Sequence, residues 1–351
     1  MPKSEETMAL LSTLSDFSAS SSLLSWKTAL IVAFALLNRK SLPFAWTYNV
    51  FYQIFRNLRR DPLKLNFTPK SAPVDLQGRP THPVFAAASI NSYVSLMETD
   101  YNIHKSNSTY FADMDHSRTA AVTPLYTPGA GIVSKELDAE IAAAAVAEGK
   151  PAPKKKLPMF IALGATYCSF KREIKPLERF ELRSHVAAWD EKWMYIVTVF
   201  LIADKKKGAK KGEKTVAAIG LSKYCIKKGR LTVPIERVFR ASGLLPPRPD
   251  NTIAAGPAVT TATATSSAVD TPRTLDGLTD TTLDEVKLVQ EVSKLGDQAE
   301  EVLHKQKQQN AASWSSEEWT WERIEEQRKK GLEMVNGYIA LENNLFADWK
   351  N

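Results

Sequence analysis

The chain has 351 residues, 44% of them hydrophobic, and a formal net charge of +7. That length and apolar content exclude a wholly disordered chain and allow one large domain or two small ones around a sizeable core. The positive balance suits an anionic partner (nucleic acid, a membrane surface or a phosphorylated ligand) or simply a solvated basic surface. The two cysteines, Cys168 and Cys225, are too few for a disulfide framework or a zinc site, and both lie in apolar, strand-like runs as packing residues.

In chain order, residues 1–22 are rich in Ser, Thr and acidic groups and read as disordered. "LLSWKTALIVAFALLNRK" follows, with an unbroken apolar core from Thr28 to Leu37, short against the roughly 20 residues of a membrane span. Then "SLPFAWTYNVFYQIFRNLRR" interleaves Phe44, Trp46, Tyr48, Phe51, Tyr52 and Phe55 before Arg56, Arg59 and Arg60. Aromatics beside an apolar run, closed by arginines, suit a membrane interface. Residues 23–60 are therefore expected to associate with a membrane. The positive charge after the apolar run would keep the folded domain on the cytosolic side, in an organelle the sequence does not name. The competing expectation is a buried helical hairpin packed on the main domain.

Residues 84–246 read as the folded core. "AASINSYVSLM" alternates as a strand, and from Asn107 to about Val122 the apolar spacing becomes helical. Residues 127–157 are rich in Pro, Gly, Ala and Lys and are expected to form an inserted loop with a short Ala-rich helix. Four runs rich in β-branched and aromatic residues come next: "MFIALGATYCSFKREIK", "RFELRSHVAAW", "KWMYIVTVFLIAD" and "KTVAAIGLSKYCIKKGR". "DEK" at 190–192 supplies a hairpin turn, 205–214 a basic hairpin loop, and "TVPIERVFRASG" a closing short helix. One strand, one long helix and four antiparallel strands make a two-layer α+β domain, because the helix must bury its apolar face on the sheet. Residues 247–282 are an Ala/Thr/Pro linker. Residues 283–351 are expected to hold two helices, the first with a heptad-like stripe from Leu288 to Val302 and the second opened by a Ser315/Glu318 capping box.

The stretch "METDYNIHKSNSTYFADMDHSRTAAV", residues 97–122, gathers Asp100, His104, Asn107, Tyr110, Asp115 and Arg118 at the strand-to-helix turn. This arrangement resembles the hotdog fold of the 4-hydroxybenzoyl-CoA thioesterase-like family, in the eukaryotic branch with an N-terminal hydrophobic segment and an "HxNNxxY…D…AR" signature. "GLSKYCIKKGRLTVPIERV" is similar to that family's last strand and following "P-x-E" turn. The sequence departs from the pattern at Lys105-Ser106, where two adjacent asparagines are common, and at Ser117 before the arginine. The resemblance implies a long central helix wrapped by an antiparallel sheet, homodimerisation, and hydrolysis of acyl-CoA thioesters without a cofactor or metal.

Thioester hydrolysis needs a group that activates water or attacks the carbonyl, and donors for the oxyanion. On the resemblance, Asp100 is the nucleophile or general base, His104 polarises the carbonyl or orients Asp100, and Asn107 caps the helix or bonds the substrate. Ser106, Ser108, Thr109 and Tyr110 are the expected substrate-binding residues, at the donor end of the helix, where its dipole favours negative charge. Asp115 and Arg118 lie at helical spacing and read as a structural ion pair. Lys171 and Arg172, or the 205–211 lysines, are candidates for the coenzyme A phosphates. Two alternatives stay open: a non-catalytic acyl-binding or scaffold protein, and a hotdog hydratase, although His104 falls one residue short of the D-x-N-x-x-H spacing. Nucleic-acid binding is not expected, since the lysine runs lack interleaved aromatics.

Overall fold

The structure is a computed structural model that describes residues 26–59, 73–151, 153, 156–204, 213–246 and 319–350. The 1–22 segment, the 247–282 linker, the heptad-like stripe and the Ser315/Glu318 box lie outside the described residues. The helices are α1 (Trp26–Leu37), α2 (Ala45–Asn57), α3 (Thr109–Ala147), α4 (Ile235–Ala241) and α5 (Trp321–Lys350). The strands are β1 (Ala88–Tyr93), β2 (Met159–Phe170), β3 (Arg179–Trp189), β4 (Met194–Ala203), β5 (Lys214–Lys228) and β6 (Leu231–Val233).

All strands pair antiparallel in one sheet of order β1-β3-β4-β5-β2. Strand β4 begins opposite Tyr224, and β6 pairs the same side of β5 from Ile226 to Lys228. The turn between β3 and β4 is fixed by Asp190, whose carboxylate accepts from the N–H groups of Lys192 (2.8 Å) and Trp193 (2.6 Å). The sheet curls around α3, as a hotdog fold requires. A core of Val122, Leu125, Val133, Val186, Ile196, Ile226, Val238 and Phe239 joins the helix to the sheet. A second cluster, with Tyr110, Met114, Phe180, Leu182 and Phe200, lies beneath the N-terminal end of α3.

Helix α3 is where the sequence expectation for 127–157 fails. No loop is inserted there; the helix runs on for 39 residues, through Pro124 and Pro128, to Ala147. Proline removes a backbone donor and crowds the preceding turn, but tertiary contacts stand in for it. Thr127 Oγ1 donates to the Arg59 carbonyl (3.0 Å) and accepts from its N–H (3.2 Å). The Gly129 N–H donates to Ser242 Oγ at 2.9 Å. A Cβ at Gly129 would collide with the backbone of Val238 and with Ser242, so glycine is required for α4 to lie this close. Residues 120–134 are almost wholly buried because the sheet, α2 and α4 enclose the helix. A helix buried all round shows no amphipathic stripe.

Helix α5 lies on the other face of the sheet. Val335 packs with Ala188 and Tyr195, and Gly331 sits against the backbone of Ala187. With α3 on one face and α5 on the other, β3 and β4 bury successive residues instead of alternating.

The N-terminal region divides at Asn38. Residues 38–57 dock on the core: Asn38 is buried, its Oδ1 accepts from the Met97 N–H at 2.8 Å, and the Ser41 and Ser95 hydroxyls bond at 2.5 Å. Helix α2 packs along α3. Helix α1 buries no residue, and Trp26, Leu30, Ile31, Phe34 and Leu36 are exposed. Its 12 residues reach about 18 Å at 1.5 Å per residue, against roughly 30 Å of hydrocarbon. Among the described residues no helix is long and apolar enough to cross a membrane.

Candidate active site

The turn before α3 is built on its own backbone. A bridge joins Thr99 to Lys105, the Asp100 N–H donates to the His104 carbonyl (3.0 Å), and the Ile103 N–H returns to the Asp100 carbonyl (3.0 Å). Asp100 Oδ1 accepts from the Asn102 N–H at 2.9 Å, an Asx turn. Ile103 takes φ 60°, left-handed for a β-branched residue, so the turn holds local strain. This places His104 Nδ1 3.6 Å from Asp100 Oδ1 and 3.3 Å from the Lys105 carbonyl.

His104 and Asn107 line a cleft of about 630 Å³ with Lys105, Tyr110, Phe170, Ile202 and the basic side chains of Lys171, Arg172 and Lys175. Asp100, Ser106, Ser108 and Thr109 do not line it; Asp100 stands behind His104. Ser108 precedes the first helical residue without a side-chain cap. Asn107 therefore does not cap α3, and its exposed side chain makes no hydrogen bond among the described residues. The Thr109 N–H and hydroxyl both donate to the Ser106 carbonyl (3.0 and 2.7 Å). Among the described residues the Asn107 and Ser108 N–H groups have no acceptor, and they stand at the positive end of a long helix. Tyr110 forms the floor, with Phe170 and Phe200 ring centroids each 4.9 Å away, and burial pushes its phenol well up. Of the two phosphate candidates, Lys171 and Arg172 share the cleft with His104. The 205–211 lysines lie outside the described residues, although Asp204 and Thr215 on either side of them line the same cleft.

Asp115 and Arg118 are ion-paired one turn along α3. The buried guanidinium also donates to Ser222 Oγ (2.7 Å) and Thr166 Oγ1 (3.2 Å) and stacks on Tyr224 at 5.5 Å. The free Asp115 oxygen accepts from Trp46 Nε1 at 3.1 Å. The pair thus ties α3 to β5, β2 and α2.

Sequence reasoning missed a second charged assembly behind the cleft. Lys105 reads as a departure from the motif, and Lys40 as a charge trailing an apolar run. In the structure Lys105 Nζ is fully buried and lies 2.8 Å from Asp113 Oδ2 and 3.3 Å from Glu98 Oε1. Lys40 Nζ reaches the same two carboxylates, 2.6 Å from Asp113 Oδ1 and 3.0 Å from Glu98 Oε1, and donates to the Tyr93 carbonyl at 3.1 Å. Two ammonium groups and two carboxylates balance in the interior. Burial opposes ionisation of Asp113, but Lys40 and Lys105 outweigh it and hold its carboxyl below the usual range. One readable signal was the Ser95-x-x-Glu98 spacing: Glu98 Oε2 accepts from the Ser95 N–H at 3.0 Å in a capping box, which turns the carboxylate inward.

Both cysteines are free; Cys225 is buried, Cys168 half-buried, and burial pushes the Cys168 thiol up to about 11. Among the described residues no cluster of His, Cys, Asp or Glu is placed to hold a metal.

A curled antiparallel sheet around one long helix, with an acidic turn at that helix's N-terminus, defines a hotdog protein of the thioesterase type. Comparison with known proteins gives the family. Residues 94–242 match the Thioesterase-like superfamily. The chain is 33% identical over 333 residues to thioesterase lcsJ of Purpureocillium lilacinum, covering 90% of each chain. It is 38% identical over 263 residues to the probable thioesterase atnL of Emericella nidulans, covering 70% of this chain and 79% of that one. The chain belongs to the thioesterase-like superfamily. Among solved structures, YbaW, a probable thioesterase from Escherichia coli, aligns at 11% identity and TM-score 0.31 over 44% of this chain and 94% of that one.

Proposed function

We propose that the protein hydrolyses acyl-CoA thioesters at the His104 cleft. The observation that carries this reading is the meeting, in one cleft, of His104 backed by Asp100, the uncapped start of α3, and the cations of Lys171, Arg172 and Lys175, which share the lining with Glu173, Glu178 and Asp204. Asp100, through His104, takes a proton from water. The resulting hydroxide adds to the thioester carbonyl, and the oxyanion meets the Asn107 and Ser108 N–H groups. Collapse breaks the C–S bond and releases the carboxylic acid and the coenzyme A thiol, to which the abstracted proton passes. The rim cations hold the phosphates, and Tyr110, Phe170 and Ile202 face the apolar part of the substrate.

The same reading includes two features of assembly. The chain docks on a membrane surface through α1, whose apolar side chains are solvent-exposed, with the hotdog core on the cytosolic side. Two copies pair through the core, so that the cleft is completed by a partner; sedimentation showing only monomer at micromolar concentration would remove that feature.

The deciding experiment is thiol release from a panel of acyl-CoAs by the wild type and by Asp100→Asn, His104→Asn and the double variant. Each single variant should lose about 10²-fold or more in kcat. The double variant should lose little further, because the two groups act as a unit. Full activity in folded Asp100→Asn removes Asp100 from the mechanism. A wild type inert toward every acyl-CoA turns the reading to a non-catalytic acyl-binding protein.

A further inference from the structure

We infer that Lys40 is a positioning residue of the site: through the buried carboxylates of Glu98 and Asp113 it holds the His104 turn and the N-terminus of α3 in place from the segment between α1 and α2. This rests on the thioesterase reading for its kinetic consequence, though not for its structural one.

The argument starts from what Lys105 does. Its backbone N–H donates to the Ile174 carbonyl at 2.8 Å, and it directly follows His104. Its ammonium donates to Thr109 Oγ1 at 2.9 Å, so it spans from the turn to the first helical residue. The Lys105 ammonium also lies 5.1 Å from the Tyr110 ring and 5.5 Å from the Phe180 ring. Lys105 is therefore the strut that sets the spacing between His104 and the donor end of α3.

The strut is fixed only as well as its two carboxylates are. Glu98 and Asp113 each face both ammonium groups, and Glu98 also closes the capping box that leads into Thr99 and the turn. Without Lys40, two buried carboxylates face one ammonium. The remaining arrangement carries a net negative charge in an apolar surround, and such a charge is relieved by water entry, protonation or movement. Each of these loosens Lys105, and the elements Lys105 joins are the turn and the start of α3. The distances in this network are as short as 2.6 Å, and a hydrogen-bonded buried charge is a stiff restraint. Lys40 itself is held by the Tyr93 carbonyl on β1 and lies 5.2 Å from the Phe180 ring, so it is seated on the sheet and not swung in from solvent.

The test uses the full chain with Lys40→Met, Lys40→Arg and Lys40→Met/Asp113→Asn, read in two ways. The first is amide hydrogen exchange. Lys40→Met should speed exchange in residues 98–110, where the Lys105, Ser106 and Thr109 N–H groups are bonded, at least tenfold more than the general loss of stability speeds it in β4 and β5. The second is kinetics: kcat should fall tenfold or more with KM within threefold, since Lys40 does not line the cleft. Lys40→Arg keeps the charge and should restore most of both. The double variant leaves Lys105 facing Glu98 alone, a balanced pair, and should recover part of the exchange protection. Acceleration in residues 98–110 no greater than in β4 and β5, or wild-type exchange and kcat in folded Lys40→Met, would overturn the inference. If the wild type turns over no thioester, the exchange measurement still decides the positioning, so the two readings fail separately.

Discussion

Glycine-to-alanine substitution at two positions of α5 should act in opposite directions. Replacing an exposed helical glycine with alanine stabilises by about 1 kcal/mol, because glycine loses more backbone freedom on folding. At Gly337 an added Cβ meets nothing within 4 Å, so Gly337→Ala should show that gain undiminished. At Gly331 the added Cβ would overlap the Ala187 carbonyl oxygen and lie 2.8 Å from its carbon and 3.0 Å from Ala188 Cβ. These are mostly backbone atoms of a central strand and cannot swing away. The helix must instead retreat from β3, opening the contacts of Val335, Leu332 and Ile339 with Ala188, Tyr195, Trp193 and Leu221. Overpacking of this kind costs roughly 1–3 kcal/mol or more. Since the overlap is with backbone, the upper end applies, and about 2 kcal/mol of net destabilisation remains after the helix-propensity gain is subtracted. The two variants should therefore differ by about 3 kcal/mol in urea unfolding followed by tryptophan fluorescence. Limited proteolysis of native Gly331→Ala should also release the C-terminal segment sooner. Equal stabilisation in both variants would refute the seating of α5 on β3.

Stability should fall with acid well before the carboxylates titrate. His82 and His116 are buried and His185 is half-buried, and burial holds each imidazole pKa below 6.5, that of His82 at about 3. Between the folded and unfolded values the unfolded chain binds more protons, so this stability is complete above pH 6.5 and drains as pH falls. For His82 alone, going from pH 6.5 to 4.5 should cost about 2 kcal/mol. His82→Gln should flatten the urea midpoint over that range; an unchanged slope would discount His82. On the membrane, full-length protein should float with phospholipid vesicles, and a variant lacking residues 1–37 should not. That deletion keeps Asn38, Lys40 and Ser41, so flotation by both would remove α1 from membrane docking without touching the core.

Much of the fold is legible because local chemistry and tertiary packing agree. The β2 to β5 runs carry β-branched and aromatic residues, and Asp190 makes the turn that its sequence position suggests. The start of α3 shows a helical stripe because near residue 109 one face is still partly open. From about residue 120 the helix is enclosed, the stripe vanishes, and Pro124, Pro128 and Gly129 read as loop punctuation when they are in fact contact points for Arg59 and Ser242. In the site, the spacing of His104, Asn107 and Tyr110 survives as shared cleft residues, since a turn and one helical rise place them together. The charge network is not legible for a different reason. Lys40 and Asp113 are 73 positions apart, and nothing in either neighbourhood distinguishes a lysine that snorkels at a membrane from one that is buried with two carboxylates.

The same network shifts where the folded unit begins. Composition suggests a domain from residue 84, with everything before it an appendage. Yet a chain starting there would lack Lys40, Asn38 and Trp46, which supply an ammonium to Asp113 and Glu98, an acceptor to Met97 and a donor to Asp115. Removing one partner of a buried ion pair costs on the order of 3–5 kcal/mol, against a total of about 5–15 kcal/mol for a typical domain. Losing Lys40 alone could therefore consume a large part of the margin, before the packing of α2 on α3 is counted. Helix α1 is different: all of its residues but Thr28 and Ala35 are exposed, whereas α2 is largely half-buried against α3, and the core keeps its charge balance without α1. The physical boundary falls between Leu37 and Asn38. The segment before it is free to meet a membrane, and residues 38–59 after it dock on the hotdog core.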